Sequence, residues 1–473
     1  MVELMTDMCK KALVSIGLVA FTSFLFPEIL TIGESTFQSL TVFTFYIYCF
    51  ISLFTYSHHK LFYVLSLPVL TQFIHIFQKY SFTGGANSLW RLLPFLILNL
   101  YLIFFFLKKK NIVTQRSRLF ILSWLIVHAF FLLISPNLER IIWGGIILYL
   151  FTLPLFFSYL NFTIQAINFQ SEIEKHLCVA FIILALGTFG LVFAGAGYKG
   201  SDNLLATRNI ADTNVTIAYF ILIWPFVLRY CTRNSVSQPF KLTMILLLAG
   251  VVVFSFSRGA VLIVIPYLLL TTLLTKGFLS LKWILPVLIV SLLYNSAIAE
   301  FLEKQDLTYF WKLRFGDMNS LESLLNKLES ASGRVEIHQI AYSLFLKSPL
   351  TGFGIGSFET LGPGYREAHS IWYTLLAEEG ILGTVYIYGV FLALIVFLAK
   401  QILKAGKEYT VFLMSILFYL IFKHTVGSVF VILPGKSITV NCIAPILLIC
   451  IYFYAKSEES ILSGHEKSNF THS

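Results

Sequence analysis

Three side chains far apart along the chain, Arg258, Arg334 and His369, have the types needed for group transfer from an anionic substrate. Ser257-Arg258-Gly259 joins two apolar runs almost without a connection, which puts a guanidinium at a membrane boundary, where a lone charge is costly. No carboxylate nearby in sequence can pair with it. Either Arg258 snorkels to headgroups or solvent, or it meets a diffusible anion. Ser332-Gly333-Arg334 opens a helix, so its side chain and the first unbonded amides could face one anion. A merely solvated arginine reads the same way. Lys347 and Arg366 are supporting cations. His369-Ser370 stands where an outer segment returns to the membrane, and imidazole is the natural proton acceptor near neutral pH. Neighbouring arginines would disfavour its charged form. The bland alternative is an interfacial histidine bonded to backbone. Glu378 and Glu379 follow, able to cap, to orient, or only to mark the interface. Upstream, Asp212 and Asn214 carry polarity into an apolar run, which a substrate cleft would need and helix packing would equally explain.

The elements that must position these groups are membrane helices. Of 473 residues, 57% are hydrophobic and only 12% charged, about half the usual charged share, too few to cover a soluble globule of this size. Mean hydropathy is +0.81. This excludes a soluble multidomain enzyme and a disordered chain alike. A span needs about 20 apolar residues, and about fourteen runs qualify. They cover roughly 12–30, 36–56, 61–77, 89–107, 119–135, 141–160, 177–196, 210–230, 240–256, 259–275, 282–299, 379–399, 409–424 and 438–455.

Short cationic loops stay in the cytoplasm, so Lys108, Lys109, Lys110, Arg116 and Arg118 fix one connection inside. Alternation then places Arg229, Arg233, Lys241, Lys276, Lys282, Lys400, Lys404 and Lys407 inside as well, with both termini cytoplasmic. These positions account for the net charge of +10 without nucleic acid, for which no reader motif is present. The chain from about 300 to 370 becomes one large outer loop. In it, Leu321, Leu324, Leu325 and Leu328 predict a helix on the outer leaflet, and Ile337, Ile340, Ala341, Leu344 and Phe345 predict a second one ended by Ser348-Pro349. Cys9, Cys49, Cys178, Cys231, Cys442 and Cys450 form no CxxC pair, so neither disulfides nor a thiolate metal site is expected. There is no D-x-D pair, phosphate-binding G-x-x-x-x-G-K-[ST] loop or H-E-x-x-H, which counts against ATP-driven transport and zinc proteolysis. Carboxylates are nearly missing from the span centres, which counts against an ion-coupled carrier.

In order, Ser257-Arg258-Gly259-Ala260, Ser332-Gly333-Arg334, Ser348-Pro349-Leu350 with Gly352-Phe353-Gly354-Ile355-Gly356, and His369-Ser370 followed by Leu375-Leu376-Ala377-Glu378-Glu379-Gly380 resemble the O-antigen ligase and polymerase superfamily. The resemblance covers about residues 207–400, and Thr213-Asn214 with Ala218 is similar to an asparagine-containing stretch of that family. It divides the chain into N-terminal spans (1–206), a ligase-like core (207–400, including the loop 300–370) and C-terminal spans with a tail (401–473). What it implies is an all-α polytopic protein of GT-C-type architecture in the bacterial inner membrane. Such an enzyme moves a glycan from undecaprenyl diphosphate to an acceptor such as lipid A-core, at the periplasmic face, inverting and without a metal or other cofactor. Arg258 and Arg334 would then hold the diphosphate and His369 would be the general base, with Asn214, Arg366 and Glu378 in possible support. The expected partners are the lipid-linked glycan, its acceptor and membrane lipids. A polymerase of the same superfamily reads identically, and a non-enzymatic lipid or polysaccharide exporter is the rival from another class. Two departures stand out: Ser370 replaces the family's asparagine after the histidine, and about fourteen spans exceed the ligases' twelve.

Overall fold

In hydrocarbon a peptide group has no water to bond, so long apolar segments fold as helices that satisfy their own backbone. A computed structural model describes residues 89–108, 114–136, 145–164, 168–193, 213–255, 257–275, 334–363, 367–426 and 443–469. These are helical, with no strand among the described residues. The helices are α1 (Leu89–Lys108), α2 (Gln115–Leu133), α3 (π-helical Ile146–Thr152 continuing as α-helical Leu153–Thr163), α4 (Phe169–Phe193), α5 (Thr213–Arg233), α6 (Gln238–Phe254) and α7 (Arg258–Leu274). After them come α8 (Arg334–Lys347), α9 (Ser357–Leu361), α10 (Ile371–Lys404), α11 (Thr410–Val426) and α12 (Ile443–Asn469). Three of them, α2, α3 and α10, are long and apolar enough to cross a membrane by length and composition.

Ten of the expected spans thus coincide with a described helix. Two depart in extent: α4 begins at Phe169 instead of 177 and α12 runs on to Asn469, whereas the span expected at 379–399 coincides with the part of α10 after a break at Gly380. The polar turn of α4 is held in helix by buried Glu174, whose partners come from other helices, and by buried His176, which pairs with Glu172 one turn earlier on α4. The expected spans at 12–30, 36–56, 61–77 and 282–299, the helix over 321–328, and Arg366 lie outside the described residues. So do the side chains of Asn214 and Arg258, although both stand in described helix backbone.

One proline sets the register of the central helices. Pro225 inside α5 has no N–H to offer Ile221 four residues earlier. The freed Ile221 carbonyl accepts the Tyr267 hydroxyl of α7 at 2.9 Å and the Ser415 hydroxyl of α11 at 2.8 Å. Trp224 Nε1 donates to Thr271 Oγ1 at 3.0 Å, and Phe226 meets Phe412 edge-on. The pairs 221–267 and 224–271 make α7 parallel to α5, whereas 221–415 and 226–412 make α11 antiparallel to it. The apolar core closes around these helices, with Trp224, Phe220, Phe181 and Tyr419 fully buried.

At the basic end of the bundle, charges pair across helices. Buried Glu174 of α4 accepts from the Tyr454 hydroxyl of α12 and faces Arg233 of α5 at 3.3 Å, while Arg229 pairs with Glu408. Lys456 donates to Asn161 Oδ1 at 3.2 Å. The other end is where α7 and α8 begin and α11 stops.

The helix α10 is two helices. Gly380 has φ 61° and ψ −160°, which ends the short arm 371–379 and begins the long arm 381–404. On one straight helix Trp372 and Tyr388 would stand about 24 Å apart. Their rings meet at 5.6 Å, so the short arm folds back along the long one. The turn-rich segment after Ser348 is inserted into the break. Phe353 N–H donates to the Ala377 carbonyl at 3.3 Å and Gly354 N–H to that of Glu378 at 2.7 Å, satisfying the end of the short arm. Ile381 and Leu382 N–H groups donate to the carbonyls of Pro349 and Leu350 at 2.8 and 3.1 Å, satisfying the start of the long arm. Ile355 N–H continues to the Phe131 carbonyl of α2 at 3.0 Å. A Cβ on Gly380 would come within 2.5 Å of the Leu350 carbonyl, and Gly352 at φ 61° is as close to the Glu378 backbone, so both positions need glycine.

Two expectations about stability follow. Gly380→Ala combines a left-handed backbone with contact against fixed backbone and should cost about 2 kcal/mol or more. Gly389→Ala, with open space around it in the same arm, should leave the melting midpoint in detergent unchanged or slightly raised. Equal midpoints for the two variants would contradict the interlocked break. Tyr267→Phe or Ser415→Ala alone should each cost about 0.5–1 kcal/mol, because the other hydroxyl still serves Ile221. The double variant leaves a buried carbonyl without a partner and should exceed the sum, at about 2–3 kcal/mol. A purely additive result in the same melts would mean that the proline-freed carbonyl does not join the helices.

Candidate active site

Folding the short arm of α10 back on the long arm sinks its first residue below the break and toward α11. The turn that carries His369 sits at this lower end, directly before the arm. His369 has φ 52°, a left-handed conformation uncommon outside glycine and held here by local constraints. The constraints are local hydrogen bonds: Ala368 N–H donates to Thr374 Oγ1 at 3.1 Å, and Thr374 N–H donates to the Ser370 carbonyl at 3.0 Å. Ser370 caps the arm by position without a side-chain bond. The His369 ring is 29% exposed, and its Nδ1 faces Glu367 Oε1 at 4.0 Å. Glu367 is largely buried and close enough for its charge to act on the Tyr419 phenol of α11.

Arg334 begins α8, whose Ile337, Ala341 and Leu344 pack with Phe358, Ala368 and Ala377 in a small second core. The face is the one expected from the spacing of its apolar residues. Helix α8 therefore lies along the short arm, with Arg334 at the same end as the His369 turn. The guanidinium donates to the Thr425 carbonyl at 2.6 Å, at the terminus of α11, where helix carbonyls lack intrahelical partners and a cation is favoured.

Arg258 comes to this end through helix register. The rings of Tyr267 and Phe418 meet at 5.2 Å between antiparallel α7 and α11. The step from Tyr267 back to Arg258 is about 13 Å and that from Phe418 on to Thr425 about 10 Å, so their backbones are nearly level. Ser257 caps α7 by accepting from Ala260 N–H at 3.3 Å. Around the same terminus Tyr388 and His424 share a hydrogen bond of 2.8 Å, and Trp372 lies edge-on to Tyr388.

Glu378 sits at the break, away from this end. Its carboxylate accepts from Phe358 N–H at 3.3 Å and from Gly356 N–H, where it caps α9. Glu379 packs over Gly383 and beside Phe131. Lys347 closes α8 at the far end from Arg334.

Two side chains at the His369 turn were passed over in the sequence reading. Glu367 stands two residues before His369, the usual relation of a carboxylate that orients an imidazole only once a turn brings it round. His338 stands one helical turn after Arg334, a spacing that alone puts two side chains on one face. Its ring stacks on Tyr373 at 4.2 Å.

Residues 243–388 match the family model described as O-antigen ligase, Wzy_C, a stretch that runs from α6 through Arg258, Arg334 and His369 into the long arm of α10. No curated protein matches the chain. Membrane-length apolar helices and a match that encloses the folded-back arm, its glycine-rich insert and the helix of Arg334 agree with the motif resemblance. The match over residues 243–388 supports the O-antigen ligase superfamily.

Proposed function

We propose that this protein is a glycosyltransferase that moves a glycan from undecaprenyl diphosphate to an acceptor such as lipid A-core, at the periplasmic face of the bacterial inner membrane. The observation that carries the proposal is the turn at His369, which holds a partly exposed imidazole in a strained conformation beside a largely buried carboxylate. It lies at the end of the bundle where Arg334 and the start of α7 also lie.

Each group has a role in one displacement. The acceptor hydroxyl attacks the anomeric carbon as the bond to the diphosphate oxygen breaks, and attack opposite the leaving group inverts that centre. His369 takes the hydroxyl proton through Nε2, since Nδ1 is turned to Glu367, whose carboxylate stabilises the imidazolium that forms. The leaving diphosphate gains negative charge. Arg334 and Arg258, planar forks that match phosphate oxygens in pairs, compensate that charge where water is scarce. On this reading the end bearing Arg229, Arg233 and Lys404 is cytoplasmic, as the distribution of cations requires.

Purified protein in lipid vesicles, given an undecaprenyl-diphosphate glycan and lipid A-core, should form a new glycoside. His369→Ala should lower turnover by about 10²–10⁴-fold while donor binding survives, the range general-base removal gives. Arg334→Ala and Arg258→Ala should each weaken donor binding by about 10-fold or more, as the loss of a charge-assisted hydrogen bond does. Undiminished turnover in the histidine variant, or undiminished binding in both arginine variants, would overturn these assignments. Joining of lipid-linked repeat units to one another, with no transfer to lipid A-core, would make the protein a polymerase. Movement of lipid-linked glycan without any new bond would make it an exporter.

A further inference from the structure

A path of contacts runs from Arg334 to the His369 turn by way of α11 and both arms of α10. The guanidinium donates to the Thr425 carbonyl at 2.6 Å. His424, the residue before Thr425, shares a hydrogen bond of 2.8 Å between its Nε2 and the Tyr388 hydroxyl on the long arm. The Tyr388 ring meets that of Trp372 at 5.6 Å and 71°. Trp372 follows His369 by three residues, a step of at most about 11 Å.

The two aromatic rings at the start of the short arm are used differently. One face of Tyr373 is covered by His338, at 4.2 Å and 16° from parallel. Trp372 is 43% exposed. Its contact with Tyr388 is edge-on, so whichever ring presents the edge, at least one face of the indole is left clear of Tyr388. The bond to His424 fixes Tyr388, and Tyr388 in turn steadies Trp372. The indole is thus held in place with a flat face open. The proposed reaction requires something flat beside it. With the diphosphate at Arg334 and the acceptor hydroxyl at His369, the anomeric carbon lies between the two, and the first sugar of the donor lies with it. The C–H groups on one side of a sugar ring are apolar and weakly positive, whereas an aromatic face is weakly negative.

We propose that Trp372 is a specificity-determining residue of the donor site, its open face stacking on the sugar that carries the diphosphate. The inference rests on the reading of Arg334 and His369 as diphosphate site and base. Trp372 moves no proton and meets no phosphate. It distinguishes undecaprenyl diphosphate that bears a glycan from undecaprenyl diphosphate alone, the lipid left after transfer. Substrate is therefore held by a contact that the spent lipid lacks, and the spent lipid leaves the more readily.

The test measures binding of these two lipids to the full chain in lipid vesicles. Wild type should bind the glycan-bearing lipid more tightly than the bare one. Trp372→Leu, apolar but without a flat face, should weaken the glycan-bearing lipid by about 2- to 10-fold, the range of one aromatic contact. Bare undecaprenyl diphosphate should bind as before, and Trp372→Phe should keep most of the discrimination. Because a misfolded fraction lowers both affinities alike, their ratio is the readout. A second measurement needs no variant. Hydroxyl-radical oxidation of Trp372 in the wild type, read by mass spectrometry, should fall severalfold with the glycan-bearing lipid and stay unchanged with the bare one. An unaltered ratio in the leucine variant, or equal protection by both lipids, would overturn the proposal and leave Trp372 as an anchor among lipid headgroups. If the wild type forms no glycoside with any acceptor yet shows the sugar-dependent protection, the proposed reaction fails and the stacking site stands. Transfer with Trp372 unprotected would have the opposite meaning.

Discussion

The structure depends on a backbone exchange at the break in α10. A helix interrupted inside a membrane protein leaves carbonyls at one new end and N–H groups at the other, and hydrocarbon offers neither a partner. Here the segment from Pro349 to Gly354 supplies both: its N–H groups bond the carbonyls of Ala377 and Glu378, and its carbonyls accept from Ile381 and Leu382. Backbone can approach backbone this closely only without a Cβ, which explains glycine at 352 and 380. With its ends satisfied the short arm can fold back, and the fold-back carries His369 inward to meet α8 and the end of α11. A continuous helix through residue 380 would leave the imidazole and Arg334 at different levels.

The two ends of the bundle handle charge differently. At the basic end, cations and carboxylates are paired internally, as Arg229 is with Glu408 and Arg233 with Glu174, and the hydroxyl of Tyr454 completes the set. Those pairs tie α4, α5 and α12 together and leave little for a ligand to recognise. Where α7 and α8 begin, Arg334 instead bonds a helix-terminal carbonyl, an acceptor carrying only partial charge. A guanidinium so placed is oriented by the end of a neighbouring helix.

Much of the fold could be read before any coordinates. Apolar run length locates α1, α5, α6, α7 and α11 to within a few residues, because the need to satisfy backbone in hydrocarbon leaves one answer. The face of α8 follows from the spacing of Ile337, Ala341 and Leu344. Hydropathy located the long arm of α10 but not the fold-back of the short arm, because an average over apolar residues carries no information about the reversal of direction at Gly380. It failed at the start of α4 because Glu174 is buried through partners supplied by other helices, which no local window contains.

Sequence by itself determined the chemistry on offer: two arginines at the openings of helices, a histidine just before the long apolar run of α10, and the O-antigen ligase pattern that orders them. Those are properties of residue type and spacing. Only the tertiary structure decided that Glu378 caps α9 and that Glu367 turns toward His369. Each of these relations is fixed by a hydrogen bond or ion pair whose geometry depends on a backbone reversal, at φ 61° in Gly380 or φ 52° in His369. Such reversals change which side chains face one another without changing the sequence distance between them, so they are settled by packing alone.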